Sequence, residues 1–246
     1  MTPASPHDHR SLAMRQDLAD AIERAWLHLS GPGTWWTGAQ RLAMVAETRN
    51  AAACPLCHAR KAALSPYTVP GDHRSLGALP DVVVDVIHRV RTDAGRLTES
   101  WLQRILDAGL SDAEYVEIVG LVATVTALDT LARALGQPLR PLPQPRPGEP
   151  ARHRPKNARK QIAWVPTVLP HDVTAEDGGL YRYGAVHIQQ ALSLVPDTVI
   201  GFFDLDVSLY LMQDHIRDFG TEYRAISHAQ IELIAAKASH MNGCFY

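Results

Sequence analysis

The sequence predicts an all-α protein, and three observations carry that prediction. Apolar residues recur at three- and four-residue steps along most of the chain, the period of a helix with one buried face. Helix-starting and helix-stopping residues bracket those segments. Patches rich in β-branched residues, such as Val82, Val83 and Val84, have the flanks and lengths of buried helices rather than strands.

The elements follow in order. A first helix is predicted over 11–29, where Leu18, Ala21, Ile22, Ala25, Trp26 and Leu29 share a face, and Gly31-Pro32-Gly33 ends it. A second is predicted over 37–50, with Trp35 and Trp36 packing into the core where it begins. Cys54-Pro55 opens a third, reaching about residue 64. Proline suits the first helical position because its missing N–H has no intrahelical partner there. Helices over 80–90 and 99–108 come next. Ser111-Asp112-Ala113-Glu114 is a capping box, and it starts the long apolar helix "EYVEIVGLVATVTALDTLARAL", which Gly136 ends. Glu117 within it is expected to face solvent.

Pro138, Pro141, Pro143, Pro145, Pro147, Pro150 and Pro155, overlapped by Arg152, Arg154, Lys156, Arg159 and Lys160, predict an extended solvated linker. The expected organisation is a helical unit over 1–137, a Pro-rich basic linker over 138–180 and a second unit over 181–246. Further helices are expected over 184–194, 196–215 and 227–241, with Asp204 and Asp206 in surface or capping positions.

Composition narrows the function. With 46% hydrophobic residues the chain has enough apolar surface for a sizeable core. A net charge of -2 offers no electrostatic case for nucleic acid or an anionic membrane. No apolar run is expected to approach the roughly 20 residues that span a bilayer. The N-terminus "MTPASPHDHR" has no apolar signal region, so a cytoplasmic protein is expected. There, three cysteines point to catalysis or metal binding rather than to structural disulfides.

Two segments repeat without a gap at an offset of 190 (244 − 54): "AQRLAMVAETRNAAACPLC" and "AQIELIAAKASHMNGCFY". Ala39/Ala229, Gln40/Gln230, Ala46/Ala236 and Cys54/Cys244 are identical pairs. The partner of Cys57 falls at position 247, one residue past the end.

Cys54-Pro55-Leu56-Cys57 is a C-x-x-C motif. It places Cys54 at a helix N-cap, where free backbone N–H groups and the positive end of the helix dipole favour thiolate. Cys57, one turn in, is close enough to resolve a sulfenic acid or mixed disulfide on its neighbour. On its own the motif leaves other uses open: c-type haem attachment through Cys54 to His58, a zinc site completed by His58 and Cys244, or two buried structural cysteines.

Three stretches resemble the carboxymuconolactone decarboxylase/alkylhydroperoxidase D (AhpD)-like superfamily, and within it alkylhydroperoxidase-related proteins that include selenoproteins. "IELIAAKASHMNGCFY" resembles the family's active-site segment, "GLSDAEYVEIVGLVATVTALDTLARALG" the helix that follows it, and "RLAMVAETRNAAACPLCHARKAALSP" a divergent first copy. Together they cover most of residues 37–137 and 184–246 as tandem AhpD-like units, the second truncated at its C-terminus. The resemblance implies an all-α fold, a homo-oligomer, and thiol-dependent reduction of hydroperoxides or of a partner disulfide. An external dithiol is the implied reductant, and no bound cofactor or metal is required.

Site residues follow from the same resemblance. Cys54, Cys57 and Cys244 are the implied catalytic sulfurs. The family's relay glutamate stands twelve residues before the first cysteine, which is Glu232 in the second copy and Leu42 in the first. Glu47, seven before Cys54 and on the same helical face, is the candidate substitute. The family histidine four after the second cysteine maps to Lys61, a residue able to stabilise a thiolate but a poor proton shuttle near neutrality. His58 and His240 are further candidate proton carriers. The expectation for position 247 is selenocysteine, whose UGA codon ends an ordinary translation after Tyr246. Two other readings remain at this point: a catalytically degenerate helical scaffold, and a structural zinc-binding helical protein.

Overall fold

The computed structural model describes residues 14–244. The N-terminal stretch, the first residues of the helix predicted from 11 and the last two residues of the repeat lie outside them. Ten α-helices form among the described residues: α1 Gln16–Ser30, α2 Gly38–Ala51, α3 Pro55–Ala62, α4 Asp81–Asp93, α5 Glu99–Asp107, α6 Asp112–Ala134, α7 His187–Gln190, α8 Pro196–Leu209, α9 Gln213–Arg217 and α10 His228–Met241. No strand forms there; one isolated bridge joins Arg159 and Thr167. The all-α expectation holds, and 82–84 is helical.

Local chemistry accounts for the starts and stops. Thr37 and Gln40 close a capping box on α2, and Ser111 and Glu114 do the same on α6. Pro55 occupies the first turn of α3 with Cys54 at the N-cap. The helix expected over 196–215 stops at Leu209, because Leu211 turns into the core and Arg224 bonds the Tyr210 carbonyl at 2.9 Å. The helix expected over 184–194 shrinks to α7; after it Ser193 binds back to Gln190 and accepts the Val168 N–H at 2.8 Å.

α6 is the central element. It packs against α2, α4 and α8, while α1 crosses α8 and α2. It is long and apolar enough, by length and composition, to cross a membrane, contrary to the expectation that no such run exists. Its apolar circumference is used here as a core helix: Ile118, Leu121, Val122 and Val125 are buried among Met44, Val45, Val83, Ile87, Val199 and Phe203. Each such side chain contributes roughly 1.5–3 kcal/mol when fully buried. Leu180, Leu192, Leu194 and Leu205 belong to the same core.

Two glycines set the closest approaches. A Cβ on Gly120 would lie 1.9 Å from Thr198 Cγ2, so this residue lets α6 and α8 touch. A Cβ on Gly33 would lie 1.9 Å from Glu117 Oε1. Glu117 is therefore not on the solvent face. Only 2% exposed, it accepts the Trp35 N–H at 2.6 Å and lies 3.6 Å from Arg41, which is equally buried. The part-exposed side of α6 is the one with Val119, Ala123, Thr126 and Thr130; Glu117 lies on a buried side and bonds the backbone of the 31–36 turn.

The Pro-rich segment is extended, as its prolines require, and is held down along that turn. Arg146 N–H bonds Ser30 O, Ala151 N–H bonds Gly33 O and Arg152 N–H bonds Thr34 O, at 2.8–3.1 Å. Arg154 pairs with Asp112 at the start of α6.

The sequence repeat has a counterpart in structure. α2 and α10 have 14 residues each, begin at 38 and 228, and carry Thr37/Gln40 and Ser227/Gln230 capping boxes at the same offset of 190. Their surroundings differ. Met44 is fully buried, whereas Ile234, its counterpart, is 61% exposed.

Candidate functional site

The site grows from three neighbouring elements. On α2, Met44, Glu47, Thr48 and Ala51 form a buried stripe, and Glu47 is its charged member. On α4, Val83, Val84, Ile87 and His88 form another, and α4 packs on α2. Glu47 and His88 thus face one another inside the protein, with His88 Nε2 2.8 Å from Glu47 Oε1. The start of α3 supplies Cys54 and Cys57, both buried.

The loop between α3 and α4 supplies a fifth residue. Apart from the short turn Pro66–Thr68 it has no regular structure, and specific bonds hold it over the cysteines. Asn50 Nδ2 donates to Arg74 O at 2.5 Å and Arg74 donates to Ala53 O at 2.8 Å. Glu47 Oε2 accepts the Leu76 N–H at 2.9 Å and the Ser75 hydroxyl at 3.2 Å. These contacts bring in His73, whose Nδ1 lies 3.4 Å from Cys57 Sγ and 3.7 Å from Cys54 Sγ. His88 Nδ1 lies 3.2 Å from Cys57 Sγ. The two rings sit with centroids 4.4 Å apart.

Each imidazole is backed by a carboxylate. His88 has Glu47, and His73 Nε2 lies 2.9 Å from Asp85 Oδ1. Asp85 also accepts Trp101 Nε1–H at 2.7 Å and Arg89 Nε–H at 3.1 Å. Arg60 Nη1 lies 3.0 Å from the same His73 nitrogen. One N–H cannot serve Asp85 while that nitrogen accepts from Arg60, so the ring donates to Asp85 and Arg60 completes the charge balance there.

Electrostatics favour sulfur anions paired with imidazolium. Burial pushes the Cys54 thiol up, but the Cys57 N–H, the His73 ring and the Arg74 N–H outweigh it and bring the thiol down to about 6. For Cys57 burial again opposes, and His73 and His88 lower the thiol. Burial disfavours the charged His73, yet Asp85 and the two sulfurs raise it to about 10. His88 is raised by Cys57 and Glu47 against its burial. Glu47 is held below its ordinary range, burial being outweighed by His88, the Leu76 N–H and Asn50.

The residues expected from sequence fall in different places. Cys54, Cys57 and Glu47 come together. His58 bonds the Ala52 carbonyl at 2.9 Å. Lys61 pairs with Asp93 at 3.2 Å and stands mostly in solvent, so the thiolate partners are His73 and His88 instead. In the second copy, Glu232 accepts the Tyr210 hydroxyl at 2.5 Å and lies 3.5 Å from His228, while His240 and Cys244 are exposed. His73, His88 and Asp85 are functional candidates that sequence reasoning missed. One signal pointed to His88: it is a polar residue in the apolar stripe of α4, one turn after Val84.

Cys54, Cys57, His73 and His88 each offer one donor atom, and the four atoms lie within 4.8 Å of one another. Dithiol redox chemistry and metal ligation are the two uses such a cluster supports. A cleft of about 290 Å³, lined by Arg60, Asp72, His73, Asp81 and Asp85, opens beside it. Comparison of the chain with protein-family models, curated proteins and solved structures finds no match.

Proposed function

We propose that this protein is a thiol oxidoreductase that reduces hydroperoxides through Cys54 and Cys57. The observation that carries the reading is the continuous chain Glu47–His88–Cys57, with contacts of 2.8 and 3.2 Å, beside a cysteine at a helix N-cap. The resemblance to AhpD-like proteins supports it, with His88 taking the place of the relay histidine expected at 61.

The chemistry balances with these residues, the hydroperoxide and an external dithiol. The Cys54 thiolate attacks the terminal oxygen of the hydroperoxide; the O–O bond breaks, and the departing alkoxide takes a proton from the His73 imidazolium. Cys54 is now a sulfenic acid. The Cys57 thiolate attacks its sulfur, forming the disulfide, and the hydroxide leaves as water with a proton from His88. An external dithiol then reduces the disulfide, becomes a disulfide itself, and returns two protons to the two histidines. Both sulfurs are closed off from bulk solvent, and a cleft opens beside His73, the ring that contacts them.

The test is hydroperoxide consumption by the purified, chelator-treated protein with a small dithiol as reductant. Turnover that disappears in Cys54→Ser and falls to a single unproductive oxidation in Cys57→Ser supports the reading. Wild-type turnover no faster than the dithiol alone refutes it.

A further inference from the structure

We propose that Cys54, Cys57, His73 and His88 form a four-ligand zinc site, bound through the two sulfurs and the two Nδ1 atoms. The inference stands on the geometry of the cluster and does not require the redox reading.

Distances decide first. A tetrahedral zinc with Zn–S of about 2.3 Å and Zn–N of about 2.0–2.1 Å has S···N edges of about 3.5 Å. Three of the four S···N separations here are 3.2, 3.4 and 3.7 Å. These three edges match a tetrahedral zinc site and the four donors lie within 4.8 Å of one another, although they come from α3, the 63–80 loop and α4.

The surroundings are those of a metal site. A ligating imidazole needs its second nitrogen held by an acceptor, which fixes the tautomer and the ring plane. Both histidines have one: Glu47 at 2.8 Å from His88 and Asp85 at 2.9 Å from His73. Both carboxylates are themselves oriented, Glu47 by Asn50 and Leu76 N–H, Asp85 by Trp101 and Arg89. Two thiolates neutralise a divalent cation, and Arg60 and Arg89 both pair with Asp85, the carboxylate behind His73. Thiolate and imidazole donors select zinc over magnesium or calcium, which take oxygen ligands. Four protein ligands in a buried setting make a closed site. The zinc ligands considered from sequence, His58 and Cys244, are replaced by His73 and His88.

The site has a consequence for the redox reading, and this part rests on it. Zinc and a Cys54–Cys57 disulfide exclude one another. A hydroperoxide that takes two electrons from the thiolates and two protons from solvent becomes alcohol and water, leaves the disulfide, and discharges one zinc.

The experiment is cobalt(II) titration of the full chain after reduction and chelator treatment, followed by displacement with zinc. One equivalent of cobalt producing sulfur-to-metal charge transfer and the intense visible bands of a tetrahedral ion is the expected result. Glu47→Gln and Asp85→Asn, which keep the ligands, should weaken zinc about 10–100-fold. His58→Ala should leave affinity unchanged. Absence of the charge-transfer band in the wild type overturns the proposal, as does binding that survives loss of both His73 and His88. Peroxide turnover is measured separately on the metal-free protein. Zinc binding without turnover leaves this inference and removes the redox function; turnover without zinc binding does the reverse.

Discussion

Glu47 and His88 meet at 2.8 Å across the α2–α4 interface, forty-one residues apart in sequence and both fully buried. The other nitrogen of the same ring touches Cys57. A buried carboxylate–imidazole pair aimed at a thiol costs desolvation that apolar residues at these positions would avoid. The pair makes sense as a device for holding a proton, or a metal ligand, at one sulfur.

The relay gives the first prediction. His88→Ala should slow turnover of the metal-free protein by about 100-fold, the lower end of what a positioned acid–base group supplies. Glu47→Gln keeps the ring in place and should slow it less, by about tenfold, with a shifted pH profile. Stopped-flow consumption of hydroperoxide across pH measures both. Equal rates in the wild type and His88→Ala would remove His88 from the mechanism.

Part of this was legible in the sequence. The start of α3 followed from Pro55, and with it the N-cap position of Cys54. The face of Glu47 followed from helical spacing. His73 was not legible, because it lies on a loop without periodicity; His88 carried one signal, its place in the apolar stripe of α4, but its contact with Cys57 spans 31 residues. Lys61 is placed at the site only by the family resemblance, but that face of α3 turns to Asp93 and solvent. Glu117 differs for another reason: it lies on the side of α6 that faces the 31–36 turn, while the part-exposed side carries Val119, Ala123, Thr126 and Thr130. Nine helices follow from periodicity and caps; the tenth arises because the one expected over 196–215 divides into α8 and α9 around Leu211.

Glu117 gives a pH prediction. Burial raises its carboxyl to about 7, opposed by Arg41 and by the Trp35 N–H, with Asp197 adding to the rise. A carboxyl that ionises higher in the folded chain than in the unfolded one favours folding when protonated. That stabilisation is complete below about pH 4.5 and is lost as pH rises through about 7, with a total on the order of 3 kcal/mol. Denaturant unfolding at pH 5 and pH 8 should show the wild type losing stability relative to Glu117→Gln over this window. A constant difference between the two proteins would show that Glu117 does not titrate there.

Gly33→Ala should destabilise the fold by about 3 kcal/mol. The new methyl group would meet Glu117 Oε1 at 1.9 Å and Arg41 Nη1 at 3.0 Å, disrupting a buried pair. Thermal unfolding reads the effect, and an unchanged midpoint would mean that the 31–36 turn yields easily.

At the α6–α8 contact, Gly120→Ala should cost about 1–3 kcal/mol through its clash with Thr198 Cγ2. Thr198→Ser removes that methyl group, so the double variant should recover most of the loss. A double-mutant cycle with no coupling would contradict the close approach of the two helices.

The most direct test of the dithiol account is intact mass analysis and peptide mapping of the reduced, metal-free chain after one equivalent of hydroperoxide. The account predicts loss of two hydrogens, a Cys54–Cys57 disulfide, and full reversal by a small dithiol. Cys54 and Cys57 remaining open to alkylation after hydroperoxide treatment would contradict it.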